Sequence, residues 1–437
     1  MRRMTPSSPS HLQVSFNLPK NKISSPVDVV FGNDDFLSEI LLHLPAKTVL
    51  KLKLISKKWL SIISHPSFAI RHSYLNPHTV SGFLLNVSYH FKKPCSYRYV
   101  SIDGKSVVNV SPDFLLFDPD KPGSTCVSQS CNGLLLCSRR MRYSAERTKP
   151  AHYYVFNPTT RQFVELTLPS GDGIRSNRLQ LAFDPSKSPY YKVLFIHYFK
   201  SLLEIHVYSS ETRIWKLSLK QENFDSLCVN LNNGVLWNGA IHWISPMGKG
   251  FCFLLDKECL QAMPSPPLPE SWETNNFRYF GESGGQLHFI GLLTCEQKPD
   301  IIAMGANASP ELSDDKMTRS SSSNIGSRYV VVYAMEKGCS RWFVKYHLDV
   351  NAIVMAYPEI SDQEDPTASP SFVSGSIYVS SFIDENNEEG PLLVINMPGE
   401  IVTYSFKHKT FKNLFSFHPY KHYSCCALKF TETLSLV

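Results

Sequence analysis

The sequence predicts two units of different class, a small all-α segment near its start followed by one large all-β domain. Three observations carry that expectation. Apolar residues recur at helical spacing between Asp34 and Phe68. From Gly82 onward, short apolar strands alternate with polar turns. A strand–turn–strand element then recurs between Tyr153 and Phe406.

The first helix is expected from Phe36, Leu37, Ile40, Leu41 and Leu44, one apolar stripe led by Asp34 and Asp35 at its positive end and stopped by Pro45. A second helix opens near Thr48, with Val49, Leu50, Leu52 and Leu54 apolar and Lys47, Lys51 and Lys53 making the remaining surface basic. Ser56 caps a third, which carries Trp59, Leu60, Ile62 and Ile63 and closes at His65 and Pro66, since the residue before a proline resists helical geometry. A unit of roughly forty residues is at the size where a lone core is marginal. These helices hold more large apolar side chains than such a unit can hide, which points to a partner.

Beyond Asn76 and Pro77 the texture becomes that of strands, with Gly82–Tyr89, Tyr97–Ile102, Leu134–Ser138 and Tyr153–Phe156 among them, several ending in turn pairs such as Asp103-Gly104. The recurring element reads YYVFNPTTRQFVELTLP from Tyr153, IHVYSSETRIWKLSL from Ile205, FCFLLDKECLQAMPSPPLP from Phe251, VVVYAMEKGCSRWFVKYHL from Val330 and LLVINMPGEIVTYSF from Leu392, with starts 46 to 79 residues apart. A repeat near fifty residues built from four short strands is the spacing of kelch-like β-propeller blades. Sheets apolar on both faces must stack and close radially to be stable. The expectation is therefore one propeller over residues 78–437, with about six blades. The polar stretches Ser309–Ser327 and Ser361–Ser369 read as loops, and residues 1–27 as a disordered leader.

With 43% hydrophobic and 19% charged residues, the 437-residue chain has the make-up of a folded globular protein. Its net charge of +6 is spread over the leader and the helical segment rather than concentrated in a stripe, which argues against nucleic acid as a partner. No run of about eighteen apolar residues is present, so no ordinary membrane-spanning helix is expected. The 11 cysteines are an odd number without a C-x-x-C pair, consistent with buried free thiols rather than zinc ligands or a disulfide framework.

Residues 33–68 resemble an F-box. The matching runs are LSEILLHLP, the Lys47–Leu50 run, and ISKKWLSIISHPSF, where the family has V-S-K-x-W-x-x-[LI]-I-x-x-P-x-F. The resemblance implies residues 28–75 as the F-box. It also implies docking on a Skp-type adaptor through Ile40, Leu44, Pro45, Leu52, Ile55 and Trp59, with Lys57 and Lys58 meeting the adaptor's acidic surface. Trp59 has a second reading as internal core of the F-box. Where the family has Leu-Pro before the acidic pair, this chain has Gly32 and Asn33, which implies a weaker adaptor contact. Further on, SCNGLLLC (Ser130–Cys137), NPTTR (Asn157–Arg161), the LAFDPSKSPYYKVLFI run, VYSSETRIWK and NGAIHW (Asn238–Trp243) resemble the F-box-associated domain of plant F-box proteins.

No nucleophile elbow, P-loop, dinucleotide fingerprint or H-E-x-x-H pair occurs. His242, between apolar neighbours on a strand, reads as a structural histidine, and His408, His418 and His422 lack the spacing of a ligand set. Asn132-Gly133 reads as an ordinary turn. Two functions remain. In the first, the chain is a non-catalytic substrate receptor, cofactor-free and located in the cytoplasm, the nucleus or both. Its partners are the Skp adaptor, through it cullin and a RING subunit, and a target protein of unknown identity. In the second, it is a carbohydrate-binding or hydrolytic propeller. The helical segment favours the first, because a free-standing propeller enzyme has no reason to carry it.

Overall fold

The computed structural model describes residues 33–76, 79–88, 96–110, 123–141, 152–169, 177–224, 231, 233–295, 327–358, 377–385, 388–416 and 424–437. The leader and nearly all of the two polar stretches lie outside these residues. The described part begins with four short helices, α1 (Asp34–Leu42), α2 (Ala46–Leu52), α3 (Lys57–Ser64) and α4 (Pro66–Leu75). Three had been expected. Pro66 ends α3, but it also occupies the first turn of α4, where its missing N–H costs nothing and its fixed φ suits the helix. The second helix starts two residues earlier than expected, at Ala46 behind Pro45.

Twenty-four strands follow, in six four-stranded antiparallel sheets. The first blade holds β1 (Gly82–Ser88), β2 (Ser96–Ser101) and β3 (Val107–Val110). The second holds β4 (Gly123–Cys131), β5 (Leu134–Met141), β6 (His152–Asn157) and β7 (Gln162–Leu166). The third holds β8 (Asn177–Ala182), β9 (Lys192–Phe199), β10 (Leu202–Ser209) and β11 (Ile214–Gln221). The fourth is β12 (Val235–Trp237), β13 (Ala240–Ile244), β14 (Gly250–Leu254) and β15 (Cys259–Met263). The fifth is β16 (Phe277–Ser283), β17 (Gln286–Cys295), β18 (Ser327–Met335) and β19 (Trp342–Asp349), after which a short helix α5 (Val350–Ala356) leads on. The sixth is β20 (Tyr378–Ile383), β21 (Leu392–Met397), β22 (Glu400–Ser405) and β23 (Thr410–Ser416). The last strand, β24 (Ser424–Phe430), returns to pair with β1 and becomes the innermost strand of the first blade. The ring is thus closed by hydrogen bonds between the two ends of the domain, which removes the seam that an open array would leave.

Every interface between neighbouring blades has its own apolar core. Leu84, Val127 and Phe156 pack between the first and second, and Leu134, Leu181 and Tyr191 between the second and third. Ile196, Trp243 and Phe253 fill the next, then Trp237, Phe289 and Tyr333. Val332, Phe382 and Ile395 follow, and Phe83, Val394 and Ala427 complete the circle. This is the stacking that sheets apolar on both faces demand. Of the five recurring elements seen in the sequence, four are the third and fourth strands of a blade. That starting at Leu392 instead covers the second and third strands, β21 and β22.

The topology also sorts the connections onto two faces. In each blade, the turns after the first and third strands emerge on one face, and the connections after the second and fourth on the other. The first face carries Asn132-Gly133, Asn238-Gly239, Gly284-Gly285 and the helical segment. Both residues of Asn132-Gly133 have positive φ (46° and 89°), as do those of Asn238-Gly239 (48° and 79°), the geometry of the tight hairpin turn. The connections of ten residues or more all belong to the second face. Along the axis, Gln129 accepts the Leu181 N–H at 2.7 Å and donates to the Leu181 carbonyl at 3.2 Å, joining the second blade to the third. Gln180 repeats the device one blade on, accepting the Gly234 N–H at 3.1 Å.

Candidate adaptor interface

The helical segment has a core of Leu37, Leu41, Leu42, Ala46, Val49, Ile63, Phe68 and Ala69, against which Leu44, Leu50, Leu52, Trp59 and Ile62 pack half-buried. Local signals fix each helix. Asn33 caps α1, its Oδ1 accepting the N–H groups of Asp35 at 2.8 Å and Phe36 at 3.3 Å. Ser56 caps α3 by accepting the Trp59 N–H at 3.2 Å. His72 of α4 donates from Nε2 to the Leu44 carbonyl at 2.8 Å, tying the fourth helix to the end of the first, and burial holds its pKa below the usual value. Asn76 adds a bond to the Leu42 carbonyl at 2.7 Å.

Around this core lies a solvent-open apolar surface made of Phe36 (55% exposed), Ile40 (50%), Leu54 (89%), Ile55 (60%) and Leu60 (46%). The residues named from the sequence divide between the two environments. Ile40 and Ile55 are on the open surface. Leu44, Leu52 and Trp59 are half-buried against the core, so Trp59 has a structural share in the helical segment itself. Pro45 and Lys57 are exposed, and Lys58 makes an ion pair with Asp34 at 2.7 Å. Phe36, Leu54 and Leu60 are apolar helix residues in the sequence pattern, outside the set that the resemblance implies for the adaptor. Their signal was the excess of apolar residues over what one face can bury; which of them turn outward depends on packing that a linear pattern does not carry.

The departure at Gly32 and Asn33 acquires a physical meaning. A proline has neither the side-chain oxygen nor the acceptor geometry to cap α1, whereas asparagine is among the best N-cap residues. This chain therefore starts its first helix with a hydrogen-bonded cap next to Asp34 and Asp35.

No group of three or more His, Cys, Asp or Glu side chains among the described residues is placed to hold a metal ion, and no described helix is long and apolar enough to cross a membrane. His242 is buried, with Nδ1 3.2 Å from the Ala240 carbonyl and its ring 5.4 Å from that of Trp237; burial lowers its pKa to about 4. That is a satisfied structural histidine. His408 is at the surface, 3.3 Å from the Glu388 carbonyl, and His418 and His422 lie outside the described residues. Cys137 is a free buried thiol pushed up to about 12, whereas Cys339 is free and exposed, unlike the buried state expected for the cysteines. A cavity of about 1120 Å³ runs along the propeller axis and opens beneath α4, where Ser73 and Tyr74 line it.

Residues 33–71 match the F-box domain model, and residues 90–270 match the F-box associated beta propeller domain model. F-box domains in general bind a Skp-type adaptor. The chain is 30% identical over 414 residues to F-box protein At5g07610 of Arabidopsis thaliana, covering 90% of this chain and 88% of that one. It is 27% identical over 252 residues to F-box protein At5g03970 and 28% over 244 residues to F-box protein CPR1, both of Arabidopsis thaliana. Those matches span 50% and 49% of this chain and about half the length of each relative, 53% and 54%. The helical F-box match, the six-bladed ring and the relative matched over 88% of its length agree, and the chain belongs to the F-box proteins with an F-box associated β-propeller domain.

Proposed function

We propose that this protein is the substrate-recognition subunit of a Skp, cullin and F-box ubiquitin ligase, working in the cytoplasm, the nucleus or both. The observation that carries the proposal is the exposure, among the described residues, of Phe36, Ile40, Leu54, Ile55 and Leu60 around the core of the helical segment. Apolar anchors of this kind dominate the energy of protein interfaces. The covalent chemistry belongs to other subunits. This subunit raises the effective concentration of a target lysine at the ubiquitin-charged enzyme.

The face of the propeller that takes the target, in this reading, is the one opposite the F-box. The first face is engaged with the helices. The opposite face has the long connections, the usual place for recognition residues, and it presents Phe199, Met247, Met355 (80% exposed) and Tyr378 (60%) to solvent.

The test is co-purification of a Skp adaptor and cullin with the wild-type chain and with Ile40→Ala combined with Ile55→Ala. Both side chains are exposed, so the variant should fold, and the expected outcome is recovery by the wild type alone. No recovery by the wild-type chain would overturn the proposal.

A further inference from the structure

Seven residues after β24 join the two units. Glu432 forms an ion pair with Lys47 of α2 at 2.5 Å, and the same ammonium lies over the rings of Tyr99 (5.1 Å) and Phe430 (5.7 Å). Leu434 is 5% exposed and is a full member of the F-box core. Ser435 Oγ is 3.1 Å from Ser73 Oγ of α4 and 2.7 Å from Thr433 Oγ1. At the far end, Val437 packs on the core between the second and third blades.

The second blade is shaped to hold this segment, through two motifs for which the ligase reading has no other use. Asn157, fully buried, uses both ends of its amide. Its Oδ1 accepts the Thr159 and Thr160 N–H groups at 2.9 and 3.2 Å, fixing the NPTTR turn. Its Nδ2 donates to the carbonyls of Thr433 at 3.1 Å and Ser435 at 2.8 Å. The Thr159 hydroxyl accepts the Thr433 N–H at 3.3 Å. Gly133 provides the room: a Cβ there would stand 2.5 Å from Thr433 Cγ2 and 2.9 Å from the Thr431 carbonyl. Gly239, in the equivalent turn of the fourth blade, has nothing within 4 Å of the same position. At Gly239 the glycine serves φ alone, whereas at Gly133 it serves φ and the passage of the segment.

We infer that residues 431–437 are a strut, socketed on the second blade by Asn157 and Gly133 and plugged into the F-box by Leu434, that sets the orientation of the adaptor-binding helices on the propeller. Asn157 is then a positioning residue. It touches neither adaptor nor target, yet it fixes how the target face is presented once the adaptor is docked. Leu434 enters the core of the helices, whereas Ile40 and Ile55 are exposed. The strut deepens the ligase reading but is tested without it.

The experiment measures the spin-label distance distribution between noncanonical residues at the exposed Lys51 and Lys257 in the full chain. It compares wild type, Asn157→Asp and Leu434→Ala. Asn157→Asp keeps the acceptor for the turn and removes the donor to the segment; Leu434→Ala leaves every propeller strand untouched. The expected result is a narrow distribution in the wild type and at least a doubling of its width in both variants. Adaptor affinity, measured on Asn157→Asp wherever the adaptor binds the wild type, should stay within twofold. A broad wild-type distribution, or an unchanged width in Leu434→Ala, would overturn the strut. Failure of the wild type to bind any adaptor overturns only the ligase proposal.

Discussion

The propeller and the F-box solve the same problem in opposite ways. Each blade of the propeller is apolar on both faces and hides them against its neighbours, six cores in a closed circle, with β24 completing the first blade from the other end of the domain. The F-box is too small to do so. It borrows Leu434 for its core and still leaves Phe36, Ile40, Leu54, Ile55 and Leu60 in water. The large unit is self-sufficient, and the small one is made for a partner.

The largest effect that tests this contrast is truncation inside the ring. Phe289 is fully buried in the core between the fourth and fifth blades, in contact with the rings of Trp272, Phe277, Tyr333 and Trp342. Phe289→Ala is expected to destabilise the propeller by about 3–5 kcal/mol in denaturant titration, because closely packed aromatic neighbours cannot collapse into the space. A loss under about 1 kcal/mol would mean the ring is not the tightly packed unit described.

Acid comes next, and it strikes the ring through its buried histidines. His242 is held neutral by burial, with a folded pKa of about 4 against an ordinary 6.5. The unfolded chain binds more protons than the folded one between those values. The stability the neutral ring confers is therefore fully present above pH 6.5 and falls as pH drops toward 4, by about 3 kcal/mol for this group. His288 is shifted in the same direction by burial, partly opposed by Asp384. Stability measured from pH 7 to pH 4.5 should decline more steeply in the wild type than in His242→Gln; parallel curves would remove His242 from the account.

On the F-box the sign of the comparison reverses. Ile40→Ala with Ile55→Ala is expected to change thermal stability little, since both side chains are at least half exposed, while each truncation costs on the order of 2 kcal/mol in adaptor binding. Isothermal titration with a Skp adaptor checks the binding and calorimetry the fold. Equal losses in both would place these residues in the core instead. On the opposite face of the propeller, Met355 and Tyr378 are the corresponding pair for a target once one is in hand.

Much of this architecture was legible in the sequence because it is local. Alternation marks strands, an Asn-Gly pair marks a tight turn, and Ser56 announces a cap. The failures are non-local. The element at Leu392 was out of phase with the other four because every antiparallel hairpin has the same texture, and only ring closure by β24 decides which strand of a blade is innermost. Pro66 reads as an end in the sequence alone because a proline stops one helix by the same property with which it starts another. The residues that the resemblance implies for the adaptor do not share one environment, Leu52 and Trp59 half-buried and Ile40 and Ile55 exposed, around a core that includes Leu434, more than 370 residues away in the chain. Asn157 and Gly133 stood out as motif residues, but nothing local reveals that the chain's other end passes over them.

The smallest effect separates the stability of the F-box from its affinity at a single residue. Asn33 satisfies two N–H groups at the start of α1, about two turns from Ile40, and loss of such a cap costs about 1 kcal/mol. Asn33→Ala should therefore raise amide exchange in α1 while leaving the blades unchanged, because the capped bonds belong to that helix alone. The replacement of Gly32-Asn33 by Leu-Pro removes the same cap but restores the apolar residue that the family has at that position. If the cap is what this chain has in place of that apolar residue, Leu-Pro should bind the adaptor more tightly than wild type and Asn33→Ala should not. Exchange in α1 should be faster in both. Unchanged affinity with Leu-Pro would show that the pair at the head of the helix serves its folding and leaves adaptor binding to the surface centred on Ile40 and Ile55.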